Sequence, residues 1–371
     1  MKGKNIILAV TNDLTYDRRM FRICSALAGG GANIILVGRK LKNSLPFEPA
    51  SFAGVRLHCW FTKGLLFYAE YNIRLFFFLW SSRFDVACAC DLDTALAVRM
   101  VSWIRMKKSV YDAHEYFSEV PELNHRPAVK AIWNWIGKIT IPGFDACYTV
   151  GQELAVLMGE KYRAHFDVIR NIAPVHKVQS KVNETLPSEK ILLYQGALNV
   201  GRGLEACIQA MVYIPEWKFW LAGEGDITDR LQELANDLGV ADRVRFLGWV
   251  KPDDLPSLLH QARLSINLRE KGSLNDYYSL PNKFFDAIHA GLPSIHMNYP
   301  EYAVICKKYK CALLLDEVHA DKIVEAVRRI DEDEVLYENL VEGCIAAAKE
   351  FTWENEAKKL MDIYTGVLSS R

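Results

Sequence analysis

Residues 194–211, YQGALNVGRGLEACIQAM, run from an apolar stretch through a glycine-rich loop into a helical pattern. Gly196 and Gly201 lie in that loop, where the lack of a side chain lets the backbone approach a ligand closely. The following helix offers free N–H groups to an anion, and Arg202 adds a forked cation suited to phosphate. The stretch therefore predicts one strand–loop–helix unit of an α/β fold, with either a phosphate site or a plain glycine-rich turn at the loop.

The same alternation of short apolar runs and amphipathic helices extends in both directions from this unit. In the first half we predict strands at 6–10, 34–37, 86–90, 110–112 and 147–150, and helices at 17–28, 65–82, 93–107, 127–140 and 151–161. In the second half we predict strands at 191–194, 219–222, 244–247, 264–267 and 294–297, and helices at 203–211, 226–238, 253–262, 282–290 and 320–330. The pattern indicates an α/β protein of two doubly wound, Rossmann-like domains that face a central cleft, because ligands of such sheets bind at the carboxyl ends of the strands.

The chain length of 371 residues also suits two domains. Residues 168–190 are polar, contain two prolines and show no clear period, which is typical of a linker. We therefore expect an N-terminal domain at 1–172 and a C-terminal domain at 173–351. A last helix at 352–371 is free to pack back on the N-terminal domain.

The net charge is zero, but the charges are unevenly distributed. Residues 1–175 carry 22 Lys and Arg against 15 Asp and Glu, a net +7, and the remainder carries −7. A basic first half suits an anionic partner, either a phosphate-bearing acceptor or a membrane surface, or it reflects chance and solvated faces.

Two features bear on the compartment of the protein. The nine cysteines form no CxxC pair, so we expect a reducing, cytoplasmic compartment with neither a disulfide framework nor a metal site. The N-terminal apolar stretch is too short for a signal-peptide core. Residues 65–80, the longest apolar segment, include Glu70 and Arg74 and fall short of the ~20 residues of a membrane-spanning helix. We expect a soluble protein, or one peripheral at the inner face of a membrane.

A second candidate site lies in residues 273–295, SLNDYYSLPNKFFDAIHAGLPSI. Leu280, Pro281 and Asn282 open a helix there, which again presents backbone N–H groups. Lys283 lies in the first turn, where the helix dipole disfavours a cation. An anion bound beside Lys283 would offset that cost. Asp286 follows one turn later, placed to accept hydrogen bonds from ribose hydroxyls. The alternative is an ordinary proline-started helix with a solvated lysine and aspartate.

A third candidate is WLAGEGDI at 220–227, where Gly223 and Glu224 follow a predicted strand. Either these residues lie near the same ligand or they form a tight turn.

In the first half, YDAHEYFSEVPE at 111–122 places Asp112, His114, Glu115 and Glu119 after a strand. Titratable groups at the end of a strand are candidates for catalysis, although a lone histidine is also a common structural residue. Upstream, Asp17 and Arg19 are candidates to anchor an acceptor or a phosphate. A helix cap and a surface arginine explain these two residues equally well.

Three further patterns carry a simpler interpretation or an open one. Asp91 and Asp93 have a DxD spacing, but they follow a strand and begin a helix, so N-capping is a sufficient explanation. The DEDE run at 331–334 is interpreted as a solvated helix junction. Aromatic and basic residues mix on helices, which suits either a membrane interface or packed helices with snorkelling lysines; they are Trp103, Arg105, Lys107, Lys108, Lys130, Trp133, Trp135 and Lys138.

Together these segments resemble the family 4 glycosyltransferases of the GT-B fold over nearly the whole chain. The matching pieces, in the order of the family, are YDRRMFR, VYDAHEYFSE, FDACYTVGQEL, VIRNI, LLYQGALNVGRGLE, LAGEGD, RVRFLGWV and LPNKFFDAIHAGLPSI. The resemblance implies a retaining transferase that holds a nucleotide-sugar mainly in its C-terminal domain and an acceptor mainly in its N-terminal domain, generally without a catalytic metal.

The resemblance also implies roles for single residues. Arg202 would grip the diphosphate, His114 would lie by the transferred sugar, and Asp286 would hold the ribose. Glu115 is the candidate to position donor or acceptor. The sequence departs from the family at Tyr278, where a second acidic residue is frequent, and at Ala197, where a basic residue often follows the glycine. The departure at Tyr278 changes how the sugar hydroxyls can be held. The departure at Ala197 leaves Arg202 and Lys283 as the main phosphate cations.

We therefore expect transfer of a sugar from a UDP- or GDP-sugar to a glycan or lipid-linked acceptor, in polysaccharide or glycoconjugate biosynthesis. No cofactor, metal or nucleic acid is expected. The alternatives are a GT-B-fold epimerase of nucleotide-sugars, which needs no acceptor, and a non-catalytic nucleotide-sugar-binding protein.

Overall fold

The computed structural model of the chain describes residues 1–47, 51–174 and 189–370. The chain divides into two compact units. The first unit comprises Met1–Asn171 and Glu354–Arg371, and the second comprises Ile172–Trp353. Most of the predicted linker falls in 175–188, outside the described residues.

The first unit is built on a seven-stranded, wholly parallel sheet. Its strands are β1 (Asn5–Ala9), β2 (Asn33–Lys40), β3 (Ala53–His58), β4 (Val86–Cys90), β5 (Lys108–Ala113), β6 (Ala146–Thr149) and β7 (Phe166–Val168). The order is β3-β2-β1-β4-β5-β6-β7, so the direction of winding reverses between β1 and β4. Ligands of doubly wound sheets bind beside such a reversal, at the carboxyl ends of the strands.

Five helices connect these strands: α1 (Arg18–Gly29), α2 (Gly64–Ser81), α3 (Leu92–Ile104), α4 (Pro127–Thr140) and α5 (Gln152–Tyr162). Each buries one stripe of side chains, α4 mainly against α3 and the others against strands or neighbouring helices. In α2 the buried residues recur every four positions, at Phe67, Tyr71, Leu75 and Leu79, as expected of an amphipathic helix. All five residues of β4 are buried, because a central strand of a parallel sheet is covered by helices on both faces.

The second unit contains a six-stranded parallel sheet of order β10-β9-β8-β11-β12-β13. Its strands are β8 (Ile191–Gln195), β9 (Lys218–Ala222), β10 (Val244–Gly248), β11 (Leu264–Asn267), β12 (Ser294–Met297) and β13 (Ala312–Leu315). Its helices are α6 (Leu204–Ala210), α7 (Thr228–Asp237), α8 (Leu255–Gln261), α9 (Leu274–Tyr277), α10 (Asn282–His289), α11 (Pro300–Tyr309), α12 (Ala320–Glu332) and α13 (Glu334–Glu350). The winding reverses between β8 and β11, so the carboxyl ends of these two strands mark the binding edge of this sheet.

The DEDE run is a helix junction, but it is not simply solvated. Asp333 caps α13 by accepting a hydrogen bond from the Leu336 N–H at 2.9 Å. The Asp331 carboxylate, 8% exposed, pairs with Lys190 at 2.7 Å and Arg263 at 3.1 Å. The run therefore stabilises the second unit through ion pairs that its charge pattern alone does not indicate.

The last helix, α14 (Trp353–Ser369), belongs to the first unit. Its inward face buries Glu356, Leu360, Tyr364 and Val367. Glu356 accepts a hydrogen bond from the backbone N–H of Arg170 at 2.8 Å, and Tyr364 lies near Cys88 and Tyr148. None of the described helices is both long and apolar enough to cross a membrane.

Replacing Leu360 with alanine tests the contribution of α14 to the first unit. Leu360 is fully buried, and deleting its side chain leaves a cavity that the surroundings fill only in part. We expect the free energy of unfolding to fall by at least about 2 kcal/mol. Lys358→Ala, at an exposed position of the same helix, is the matched control. Equal unfolding midpoints for both variants in urea would show that α14 adds nothing to the stability of the unit.

Candidate active site

The first unit gathers an ion-pair network at the carboxyl end of β5. Asp112, the fifth residue of that strand, is fully buried. Its Oδ1 accepts a hydrogen bond from Arg19 at 2.8 Å, and its Oδ2 lies 3.1 Å from Nε2 of His114. Arg19 is 8% exposed, so it is not a surface arginine. The guanidinium of Arg19 and the imidazole of His114 thus share one buried carboxylate.

Asp91 holds His114 from the opposite side. The backbone N–H of His114 donates to Asp91 Oδ1 at 2.8 Å, and the ring Nδ1 lies 3.6 Å from Asp91 Oδ2. Asp91 precedes α3 but makes no side-chain cap hydrogen bond, so the N-capping interpretation of this residue is wrong. Its φ of 62° is rare for a residue with a side chain, which is typical of a functional position. Asp93 likewise accepts from the Thr11 hydroxyl, at 2.5 Å.

The network perturbs the titration of its members. Burial opposes charge on His114, but Asp112 and, after it, Asp91 outweigh burial and raise the pKa of His114 to about 9. Burial raises the pKa of Asp91 itself to about 8, so Asp112 is the carboxylate that stays charged beside the ring at neutral pH. Burial also opposes ionisation of Asp112, yet Arg19 and His114 lower its pKa to about 2. Burial raises the pKa of Asp93 to about 7, and Glu115 contributes to that rise. Near neutral pH the network therefore holds a cationic imidazole, which suits electrostatic stabilisation of a negatively charged group.

Cys90, Asp112 and His114 offer ligand atoms that lie within 4.8 Å of one another. No Cys/His cluster is expected from the sequence. A metal ion here would have to compete with Arg19 for Asp112. Burial raises the pKa of the Cys90 thiol well above its usual range, whereas a metal ligand must be a thiolate. The three residues fit a cation–carboxylate network better than a metal site.

The other residues predicted for the first unit take part in contacts of their own. Asp17 caps α1 by accepting from the Met20 N–H at 3.0 Å. Glu119 accepts from Lys130 at 2.6 Å. Glu115 is half-buried, within electrostatic reach of Asp91 and Asp93. The structure thus brings Arg19, His114 and Glu115 together, with Asp17 in a capping position and Glu119 in an ion pair.

In the second unit, two glycine-rich loops pack backbone to backbone after β8 and β9. Gly196 has a φ of 127° and Gly223 a φ of 151°. A Cβ on Gly223 would lie 2.0 Å from the carbonyl oxygen of Gly196, and a Cβ on Gly196 would lie 1.8 Å from Lys283 Nζ. Both positions need glycine for steric reasons. Glu224, between the glycines of the second loop, has an exposed side chain. Gly201, with a φ of 79°, lies further along the first loop.

Three cations lie within electrostatic reach of one another around these loops. Burial, together with Arg202 and Arg269, lowers the pKa of Lys283 to about 7. Burial and Arg269 also lower the pKa of Arg202. Lys283 Nζ lies 3.5 Å from the Tyr194 hydroxyl, and Arg269 pairs with Asp276 at 2.8 Å. Gathering cations in a half-buried place is costly unless an anion binds there, so the arrangement suits a polyanionic ligand.

The helix that carries Lys283 begins as the sequence indicates. Pro281 precedes α10 without a side-chain cap, and α10 starts at Asn282. Leu280 is buried at 5% exposure and anchors the start of the helix. Asp286, one turn in, accepts a hydrogen bond from the Gln195 amide at 2.8 Å. Tyr278 packs edge-on against Tyr277, with ring centroids 5.2 Å apart.

Three further residues of this site, Arg269, Tyr194 and Gln195, are not predicted from the sequence. Each lies at or after the carboxyl end of β8 or β11, the two strands that flank the reversal of winding. Their position in the sequence is the feature that could have identified them: each is a charged or polar residue near the end of a strand in the middle of a doubly wound sheet.

Two Rossmann-like units in one chain, one with a glycine-loop cation site and one with a buried histidine network, are typical of the class of GT-B-fold proteins. The family model of the glycosyl transferases group 1 matches residues 176–350, almost the whole second unit. The match covers a little under half of the chain.

The relatives and solved structures agree with this class. The chain is 30% identical over 151 residues to a GDP-mannose-dependent alpha-(1-6)-phosphatidylinositol monomannoside mannosyltransferase of Mycobacterium tuberculosis, covering 39% of this chain and 38% of the relative. The chain spans about half the length or less of the curated relatives it matches.

Two solved structures match nearly the whole chain in fold. Sucrose-phosphate synthase from Thermosynechococcus elongatus has a TM-score of 0.77 at 17% identity, covering 99% of this chain and 100% of that one. Anabaena HepE in complex with UDP-glucose has a TM-score of 0.73 at 13% identity, covering 98% and 100%. At these identities the likeness shows the GT-B fold.

Proposed function

We propose that the protein is a retaining glycosyltransferase that moves a sugar from a UDP- or GDP-sugar to a glycan or lipid-linked acceptor. The observation that carries the proposal is the convergence of Arg202, Arg269 and Lys283 on the glycine loops of the second unit. Arg269 already pairs with Asp276, so a nucleoside diphosphate would supply the negative charge that Arg202 and Lys283 lack. The glycines allow its phosphates to approach the backbone.

The protonation of Lys283 also favours a bound diphosphate. With a pKa near 7 it is only partly protonated when the site is empty of anion, and a bound diphosphate would raise that pKa and complete the charge. During transfer the leaving diphosphate gains negative charge at the bond that breaks. Cations held in place beforehand stabilise that charge more than the ground state, which is how they accelerate the reaction.

The donor and acceptor classes draw support from the names of relatives. One relative is named as GDP-mannose-dependent with a phosphatidylinositol mannoside acceptor, and another as a lipopolysaccharide core glycosyltransferase. The HepE complex contains UDP-glucose. We propose the same chemical classes for this chain, a uridine or guanosine diphosphate sugar and a glycan or lipid-linked acceptor of polysaccharide or glycoconjugate biosynthesis. The nine free cysteines favour a reducing, cytoplasmic location.

His114 is proposed to contact the transferred sugar, and Glu115 to help position donor or acceptor. Retention of the anomeric configuration is the part of the proposal that rests on the family resemblance alone. In that reaction the acceptor hydroxyl attacks the anomeric carbon from the side of the leaving group. The bond from that carbon to the diphosphate oxygen breaks, and the departing oxygen takes the hydroxyl proton. No metal or cofactor is proposed for this step.

A thermal-shift panel with UDP, GDP, ADP and CMP tests the donor site. A nucleotide at a hundred times its dissociation constant is expected to stabilise the protein by about 2.7 kcal/mol, a readily measured shift. Arg202→Ala is expected to abolish the shift, because it removes one cation of the diphosphate site. Arg230→Ala is the matched control, since Arg230 is 67% exposed in the same unit and pairs with Glu205.

If none of the four nucleotides shifted the melting temperature, the donor-site proposal would be refuted. An unchanged shift in Arg202→Ala would refute the role of that arginine. If turnover of the matching nucleotide-sugar proceeds to the same product with and without an acceptor, the protein is not a transferase and the epimerase alternative replaces it.

A further inference from the structure

The outer surface of three neighbouring helices in the first unit is unusually apolar. Helix α3 packs between α2 and α4, and Tyr68 of α2 meets Trp133 of α4 edge-on at 5.1 Å. Of 25 large hydrophobic side chains exposed among the described residues, 14 lie between positions 60 and 139. We call this set the apolar face: Trp60, Phe61, Leu65, Leu66, Ile73, Phe77, Trp80, Met100, Trp103, Ile104, Met106, Ile132, Trp135 and Ile139.

On α2, the residues of the apolar face form a contiguous stripe and are not scattered over the helix. Leu66, Ile73, Phe77 and Trp80 recur at three-, four- and seven-residue intervals, opposite the buried stripe of the same helix. Their exposures run from 48% to 64%, and Met106, just after α3, is 92% exposed. Helix α2 is therefore apolar on both sides, which is typical of a surface that meets a second apolar phase.

Basic residues outnumber acidic ones on the three helices and at their ends. Two of the lysines are paired with carboxylates, Lys130 with Glu119 at 2.6 Å and Lys108 with Asp145 at 3.1 Å. Helix α4 contains Lys130 and Lys138 and no acidic residue. On α2 the single acidic residue, Glu70, is paired with Arg74 at 2.8 Å. Lys63 and Arg83 flank α2, and Arg105, Lys107 and Lys108 follow α3. Beside α4, Lys138 and Lys161 line a cleft of 520 Å³ together with Trp135 and Asn134.

We propose that the apolar face of the first unit docks on an anionic lipid bilayer surface. Tryptophan and basic side chains are the residues that anchor proteins at a membrane interface, where rings enter the acyl boundary and cations meet headgroup phosphates. A second copy of the chain is the weaker occupant, because a two-fold contact would bring one basic face against another. Trp133 is 4% exposed and so belongs to the core, not to the docking surface.

Vesicle flotation of the full chain tests this proposal. We expect the protein to float with vesicles of phosphatidylglycerol and phosphatidylcholine, and to float less with phosphatidylcholine alone or at high salt. Phe77→Ser combined with Trp103→Ser and Trp135→Ser removes one exposed ring from each helix. That variant is expected to lower the bound fraction at subsaturating lipid at least about tenfold. Combined Val212→Ser, Trp249→Ser and Val335→Ser, at exposed positions of the second unit, is the matched control.

The proposal is overturned if the protein stays with neither vesicle, or if the first triple variant floats as well as the wild type. It is also overturned if the wild type sediments as a dimer that the same three substitutions dissociate, since a second copy would then cover the face. Circular dichroism of both variants checks that they are folded. The assay contains no nucleotide-sugar, so its outcome is independent of the proposed transfer.

Discussion

His114→Ala is expected to lower the rate of sugar transfer by at least about a hundredfold, the usual cost of removing one group that stabilises a developing charge. The imidazole is held between Asp112 at 3.1 Å and Asp91 at 3.6 Å, so the wild-type ring reaches the reaction already oriented and cationic. The measurement is the initial rate of nucleoside diphosphate release from the donor that the thermal-shift panel selects, with an acceptor present.

The pH dependence sharpens this prediction. Because the pKa of His114 is raised to about 9, the ring stays protonated through neutral pH, and the loss of its charge is expected to lower the rate as pH rises towards and beyond 9. His165→Ala is the matched control, since His165 belongs to the same unit and is 86% exposed. The nucleotide shift is expected to survive in both variants, because the nucleotide-site residues all belong to the second unit. A His114→Ala enzyme of undiminished rate would remove the histidine from the proposed site.

Asp112→Asn is expected to lower the free energy of unfolding by about 3–5 kcal/mol, because it leaves two buried cations without their shared counter-charge. Arg19 and Asp112 are 8% and 0% exposed, so solvent screens the pair little. Guanidinium unfolding followed by circular dichroism measures the loss. Asp167→Asn is the control: its partner His165 is 86% exposed, and pairs of that kind contribute ~0–1 kcal/mol.

The same variant should change how stability depends on pH. The pKa of Asp112 is lowered to about 2, so its stabilisation is present above the ordinary aspartate pKa and is lost as pH falls towards 2. The pKa of His114 is raised to about 9, so its stabilisation is present below the ordinary histidine pKa and is lost as pH rises through 9. Both slopes should flatten in Asp112→Asn. Wild-type slopes in the variant would mean that other groups control them.

The sequence predicted most of the strands and helices that have a one-sided or two-sided apolar pattern, but not α11 and α13, although each of these helices buries residues along one side. Strand β4, with every residue buried, was predicted at its observed bounds. Strands β3, β7 and β13 were not predicted. Strand β3 lies at the edge of its sheet and is exposed or half-buried along its length, so no apolar run marks it. Strand β7 has only three residues, and β13 is also an edge strand with half-buried centre positions. Periodicity reports burial, and edge strands lack the burial that produces it.

For the candidate sites, the sequence indicated which loops matter more clearly than which side chains meet. Spacing singles out the glycines at 196 and 223 but does not reveal what lies against them. A Cβ on Gly223 would meet the backbone of Gly196, and a Cβ on Gly196 would meet the Lys283 side chain. The link between Arg19 and Asp112 joins residues 93 positions apart, and no local pattern predicts such a pair. Asp91 was interpreted as a cap because caps are frequent before helices. Its hydrogen bond to the His114 N–H depends on β4 and β5 being neighbours in the sheet.

The return of α14 to the first unit has a consequence for how the protein is made. The unit is interrupted after Asn171 and completed only by Glu354–Arg371, so the ribosome must synthesise the whole second unit before the first can close. At ~5–20 residues per second, that interval lasts roughly 10–40 s. Throughout it, the surface around Cys88 and Tyr148 that Tyr364 later covers stays open to chaperones or to aggregation. The second unit is contiguous in the chain and is free to fold first. In a nascent chain, the C-terminal domain would then complete its fold before the N-terminal domain does.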